Sequence, residues 1–113
     1  MNIKITFQNM PHSDSLEAHT NQKLEKIFEF LNTEQRPFNV EFWLKAHKVH
    51  PHHVAEMHLK TKNFDLMAHD EGADMYVAVD NTIDKMVKLI KKEKQKMNDR
   101  HHKVPTDKSN FNR

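Results

Sequence analysis

Apolar residues change their spacing along the chain, and each spacing predicts one kind of element. From Asn2 to Gln8 every second residue is apolar, the pattern of a strand with one buried face. From about Asp14 to Leu31 the step becomes three and four, which predicts a helix. Ser13 or Asp14 can cap this helix, and Glu17 could complete a capping box. The stripe expected to be buried is Leu16, Thr20, Leu24, Ile27 and Leu31.

The middle of the chain repeats the alternating pattern three times. The stretches are 38–46, 54–60 and 64–68, and polar segments separate them. Successive strands joined by short loops favour an antiparallel meander. Trp43 falls on the polar face of its strand. The inward positions are Phe38, Val40, Phe42, Leu44, Ala46, Ala55, Met57, Leu59, Phe64, Leu66 and Ala68.

A second helix is predicted from about Ala73 to Met97, with Gly72 and Asp74 marking its entry. Two stripes with helical spacing run along it. The apolar stripe is Tyr76, Val79, Ile83, Met86 or Val87, and Ile90. The basic stripe, on a neighbouring face, is Lys85, Lys88, Lys92 and Lys96.

The predicted order is β-α-β-β-β-α. Since each strand has one apolar face, both amphipathic helices should cover the same side of one four-stranded sheet, an α+β two-layer sandwich. A crossover through the first helix allows the first strand to pair in parallel. We expect one domain over residues 1–103, followed by a flexible tail, 104–113, which is rich in polar residues.

Charge is distributed unevenly along the chain. Residues 1–84 carry 8 basic and 13 acidic side chains, a net charge of −5, whereas residues 85–103 carry 8 basic and 2 acidic, a net charge of +6. A basic block that follows an acidic segment indicates nucleic acid or an anionic membrane as partner. Nucleic acid is favoured, because the apolar stripe of the last helix is needed to cover the sheet.

Several classes of chemistry lack the residues they require. There is no cysteine for thiolate chemistry, and the single glycine, Gly72, excludes a glycine-rich phosphate loop. No serine has the setting of an activated nucleophile. We therefore predict a binding protein without catalytic residues or cofactor. No stretch resembles a signal peptide or a membrane span, which favours the cytoplasm.

Histidines cluster between two of the predicted strands. His47, His50, His52 and His53 precede His58, and imidazoles of this kind can bind zinc, nickel or copper. No carboxylate or cysteine is placed to complete a closed site, so a polar loop is the simpler interpretation and no metal is predicted. Protonated histidines at a loop tip could instead contact RNA.

Several segments resemble the ribosome hibernation promoting factor family, which includes the inhibitor known as protein Y. The resemblance rests on the run from Gly72 to Asp80, the segment from Thr82 to Met86 with the lysines after it, the opening Asn2–Thr6, and Lys23–Lys26. It covers residues 1 to about 103. It implies a β-α-β-β-β-α fold that binds the small ribosomal subunit in the path of messenger and transfer RNA. Such proteins silence translation in stationary phase or stress.

The resemblance also implies partners and site residues. The partners are the 30S subunit and its 16S rRNA, and a ribosome-dimerising factor is a further candidate. No segment of this sequence resembles the extra domain with which long members dimerise ribosomes, so the resemblance is compatible with either promoting or preventing ribosome dimers. A stand-alone double-stranded RNA-binding module is the alternative function. The predicted RNA-binding residues, with Lys91 added from the basic block, are Lys23, Lys26, Lys85, Lys88, Lys91, Lys92, Lys94 and Lys96.

Overall fold

The computed structural model describes residues 2–31, 39–46 and 52–102, and the side chains as far as residue 96. The strands are β1 (Asn2–Gln8), β2 (Asn39–Lys45), β3 (His53–Lys60) and β4 (Asp65–Gly72). The helices are α1 (Asp14–Phe30), between β1 and β2, and α2 (Met75–His102), after β4. The element order is the predicted one.

The four strands form one sheet in the order β1-β2-β3-β4. β1 pairs in parallel with β2, whereas the β2–β3 and β3–β4 pairs are antiparallel. The crossover through α1 explains the single parallel pair, because two strands that run in the same direction need a long connection. The predicted fold class, including the parallel pairing of the first strand, is confirmed.

One face of the sheet carries the core, as the alternation predicted. Val40, Phe42 and Leu44 of β2 are buried, and Ala55, Met57 and Leu59 of β3 lie beside them. Leu66 and Ala46 are only half-buried, and Phe38 lies outside the described residues. Both helices cover this face. Their buried residues are Leu16, Thr20, Leu24 and Ile27 of α1, and Met75, Ala78, Val79, Thr82, Ile83, Met86, Val87 and Ile90 of α2.

Local signals set where the helices begin. Asn9 ends β1 with φ of 59°, a left-handed conformation that asparagine tolerates better than most residues. Ser13 caps α1 by accepting a hydrogen bond from the Leu16 amide at 3.2 Å. The capping box with Glu17 is therefore wrong, since the residue three positions after the cap is Leu16. At α2, the Asp74 carboxylate accepts from the Tyr76 amide at 2.9 Å.

Two predictions for α2 need correction. The helix runs to His102 rather than Met97. The residues after Met97 are polar, so no apolar stripe in the sequence indicated that the helix continues. Tyr76 is not part of the buried stripe: it is 39% exposed, and Met75 takes the buried position instead. The predicted tail, 104–113, lies outside the described residues.

Candidate nucleic-acid interface

The predicted basic stripe lies along the outer surface of α2. A helix turns by about 100° per residue, so side chains three or four positions apart share a face. Lys85, Lys88, Lys92 and Lys96 are all exposed there. Lys96 also contacts Glu93 at 3.3 Å, one turn earlier. We call these four residues the α2 row.

Lys85, the first residue of the α2 row, is bound to the sheet. Its ammonium group donates to the His69 carbonyl and to Asp70 Oδ1, both at 2.9 Å. These hydrogen bonds join α2 to β4. The Lys85 ammonium, assisted by the side chain of Asn81, holds the pKa of the Asp70 carboxyl below its usual range. Lys85 therefore has a structural partner before any ligand arrives.

Lys91 and Lys94 lie on the side of α2 that faces α1. Lys94 is half-buried and donates to the Phe30 carbonyl in the last turn of α1. The Lys91 ammonium lies 5.2 Å from the centre of the Phe30 ring. Since α1 has no basic residue of its own in its last turn, Lys94 supplies the cation that suits this negative helix end. The Lys94 ammonium thus stabilises the fold, and Lys91 remains exposed.

The two lysines predicted on α1 have different surroundings. Lys26 donates to Asp84 of α2 at 3.1 Å, and both side chains are about half exposed. Asp84 precedes Lys88 by one turn, so Lys26 lies near the start of the α2 row. Lys23 is exposed. Over the described side chains, Lys23, Lys88 and Lys92 have neither an ion-pair nor a hydrogen-bond partner.

Side chains that were not predicted as site residues hold α1 and α2 together. Ser15 Oγ lies 2.9 Å from the Tyr76 hydroxyl, and His19 Nε2 lies 2.7 Å from Asp80 Oδ1. The His19 and Tyr76 rings meet edge to face at 5.0 Å. Ser15 and His19 are four residues apart on α1, as are Tyr76 and Asp80 on α2, so the two contacting side chains of each helix lie on one face. That shared spacing was visible in the sequence, but the pairing depends on the helices running parallel side by side.

Acidic and basic residues divide α2 into two halves. The first half and its cap carry Asp74, Asp80 and Asp84, which cap the helix or contact α1. The second half carries the lysines. A polyanion would therefore be attracted to the half of α2 that follows Asp84.

The opposite face of the sheet presents a different charge pattern. Histidines and lysines there pair with carboxylates: His58 Nε2 lies 2.5 Å from Asp65 Oδ1, and Lys45 contacts Glu56. The hydrogen bond from His58 holds the pKa of Asp65 below its usual range. Trp43 is half-buried on this face. Because Lys45 and His58 are already paired with carboxylates, their part of this face is less suited to a polyanion than the unpaired lysines of α2.

The histidine cluster gives no support for a metal centre in the part that can be described. His47 and His50 lie outside the described residues, whereas His52 contacts Glu71 at 2.9 Å and His53 begins β3. No group of three or more histidine, cysteine or acidic side chains that could hold a metal ion occurs among the described residues. Within those residues, neither helix is long and apolar enough to cross a membrane.

Comparison with known proteins agrees with this architecture. The chain is 29% identical over 97 residues to the ribosome hibernation promoting factor of Escherichia coli K12, covering 86% of this chain and 97% of that protein. Two solved structures share the fold with a TM-score of 0.68 each. One is the protein Y N-terminal domain of Thermus thermophilus, 20% identical over 81% of this chain and 98% of that one. The other is a ribosomal subunit interface protein of Coxiella burnetii, 23% identical over 84% of this chain and 99% of that one.

The family comparison covers most of the fold. Residues 3–98 match the family model described as sigma 54 modulation protein / S30EA ribosomal protein. The match includes α1, the lysines of α2 as far as Lys96, and the whole sheet except its first residue, Asn2. The family resemblance predicted from the residues is thereby confirmed, and the chain belongs to the sigma 54 modulation protein / S30EA ribosomal protein family.

Proposed function

We propose that this protein is a ribosome hibernation factor. It binds the 30S subunit through 16S rRNA, lies in the path of messenger and transfer RNA, and blocks translation in stationary phase or stress. Membership of the S30EA family supports a ribosomal partner, as does the name of the relative from Escherichia coli. This function places the protein in the cytoplasm.

The observation that carries the proposal is the group of exposed lysines without partners. Lys88 and Lys92 on α2, and Lys23 on α1, are cations without a carboxylate to neutralise them among the described side chains. Cations of this kind gain most by contact with phosphate, because each contact releases counterions from the RNA. Lys26, Lys85, Lys91, Lys94 and Lys96 also belong to the proposed rRNA surface, although each has a partner within the protein.

Inhibition requires no bond chemistry in this proposal. The two-layer domain excludes messenger and transfer RNA from the space that it occupies. The double-stranded RNA-binding alternative is not favoured, because the family is ribosomal and α2 carries two aspartates and no basic residue as far as Asp84.

The test is co-sedimentation with purified 30S subunits over a range of salt concentrations. The variant Lys88→Gln/Lys92→Gln removes two cations that have no partners among the described side chains, and we expect it to leave the subunit at lower salt than the unaltered protein. The logarithm of the binding constant should also fall less steeply with the logarithm of salt, by about 0.7–0.9 per phosphate contact removed.

A matched control variant removes the same number of positive charges from another part of the surface. Lys4→Gln/Lys60→Gln also removes two exposed cations, from β1 and β3, away from α2. This variant should bind nearly as the unaltered protein does. Equal losses of 30S binding in the two variants would mean that binding depends on net charge rather than on the lysines of α2. Absence of the unaltered protein from the subunit fraction would overturn the proposed function.

A further inference from the structure

A groove of about 370 Å³ lies where β4 meets α2. We call it the edge groove, because β4 is the last strand of the sheet. Met67 contributes an unusually exposed apolar surface, with 57% of the residue accessible, and Leu89 is half-buried beside the core. The lining residues are Met67, Ala68, His69, Lys85, Lys88 and Leu89.

The backbone of β4 adds polar groups to this apolar surface. The Thr61 amide donates to the Phe64 carbonyl where β3 turns into β4, so the register makes 59/66, 57/68 and 55/70 the hydrogen-bonded pairs, and the backbone groups of His69 point away from β3. Lys85 donates to this outward His69 carbonyl. Alternate residues of an antiparallel strand direct both backbone groups to the same side. The amides of Met67 and His69 therefore also point outwards, where no further strand pairs with β4 in the described sheet. The His69 imidazole is exposed close by.

Cations continue from the edge groove along the helix. Lys88 forms part of the groove wall, and Lys92 follows one turn later. Neither has a partner among the described side chains. An apolar surface beside outward backbone groups suits a flat heterocycle, and the two ammonium groups suit the phosphates attached to it.

We infer that the edge groove holds one unstacked nucleobase of the RNA strand whose phosphates contact the α2 row. This inference rests on the proposed function and specifies how the same surface engages RNA. The polarisable Met67 thioether would lie against the base, and the β4 backbone would contact its polar edge. An acidic peptide is the competing occupant, but it would leave the Met67 surface without a planar partner.

The test compares two short single strands by fluorescence anisotropy. One is oligoadenylate, and the other is an abasic ribose-phosphate strand of equal length and charge. We expect the unaltered protein to bind oligoadenylate at least about five-fold more tightly than the abasic strand. This factor is the lower end of the range for one base stacked on a side chain. Met67→Asp should abolish this preference. Met67→Thr, which suits a strand and adds no charge, should reduce it.

Val77→Asp is the matched control for charge. Val77 is 51% exposed in the first half of α2, so its replacement adds the same charge outside the edge groove. The control should bind both strands more weakly and keep the preference for oligoadenylate. Melting curves followed by circular dichroism check that each variant is folded.

Either of two results in the strand comparison would overturn the inference. One is equal binding of both strands by the unaltered protein, and the other is a preference that survives in folded Met67→Asp and Met67→Thr. Binding of a glutamate-rich peptide that depends on Met67, without any base preference, would also overturn it and assign the groove to acidic peptides. If Lys88 and Lys92 still govern binding to 30S subunits, only the inference has failed. If the protein does not bind the subunits, the proposed function has failed.

Discussion

Lys85 of α2 and Asp70 of β4 form an ion pair in which Lys85 Nζ lies 2.9 Å from Asp70 Oδ1. The same ammonium group donates to the neighbouring His69 carbonyl. Lys85 is about half exposed, whereas Asp70 is mostly buried. A residue predicted from the sequence to contact RNA is thus also a link between the helix and the edge strand.

Replacement of Lys85 by alanine should lower the free energy of unfolding by about 1 kcal/mol, because Asp70 loses its charged donor and the ion pair is partly screened. Lys88→Ala is the control, since Lys88 is exposed one turn later and has no partner among the described side chains; its effect should stay within about 0.5 kcal/mol. Urea unfolding measures both values. Equal losses would mean that the Lys85–Asp70 pair adds no stability.

The Asp70 pair should make stability depend on pH in the acidic range. Because Lys85 and Asn81 lower the pKa of Asp70 from its ordinary value of 3.8, the ionised carboxylate favours the folded state. That contribution is present above about pH 3.8 and is lost as the pH falls through the folded-state pKa. Asp70→Asn should therefore be less stable than the unaltered protein at pH 7, and the difference should shrink below pH 3.8.

Asp65 titrates in the same window, because His58 lowers its pKa. The two contributions can be separated by measuring urea unfolding of Asp70→Asn, Asp65→Asn and the double variant from pH 7 downwards. If the gap between Asp70→Asn and the unaltered protein stays constant down to complete protonation, the carboxylate charge of Asp70 is not the cause.

Lys94 should contribute to stability through the end of α1. Loss of its ammonium group in Lys94→Ala leaves the Phe30 carbonyl without that donor, and we expect a loss of about 0.5–1 kcal/mol. Lys92→Ala is the control, because Lys92 is exposed on the outer face of the same helix. Thermal unfolding distinguishes the two, and a loss in Lys92→Ala as large as that in Lys94→Ala would contradict the capping role.

The buried faces of the elements could be predicted because their periods are local properties. Alternation in β2 and β3 placed Val40, Phe42, Ala55 and Met57 inward, and the structure buries all four. Tyr76 shows where period alone fails. Its spacing from Val79 suits the buried stripe, but α1 lies on that flank, and the Ser15 hydroxyl provides a polar partner for a tyrosine that stays partly exposed.

By itself, the sequence determined the element order, the faces of the sheet, the concentration of positive charge after Asp84 and the family resemblance. All of these depend on residue type and spacing along the chain. Only the tertiary structure decided how the lysines divide. Lys85 contacts β4, Lys94 contacts α1, and Lys88 and Lys92 have no partner among the described side chains. Such pairs join residues far apart in the chain, so they arise only when the helices pack on the sheet.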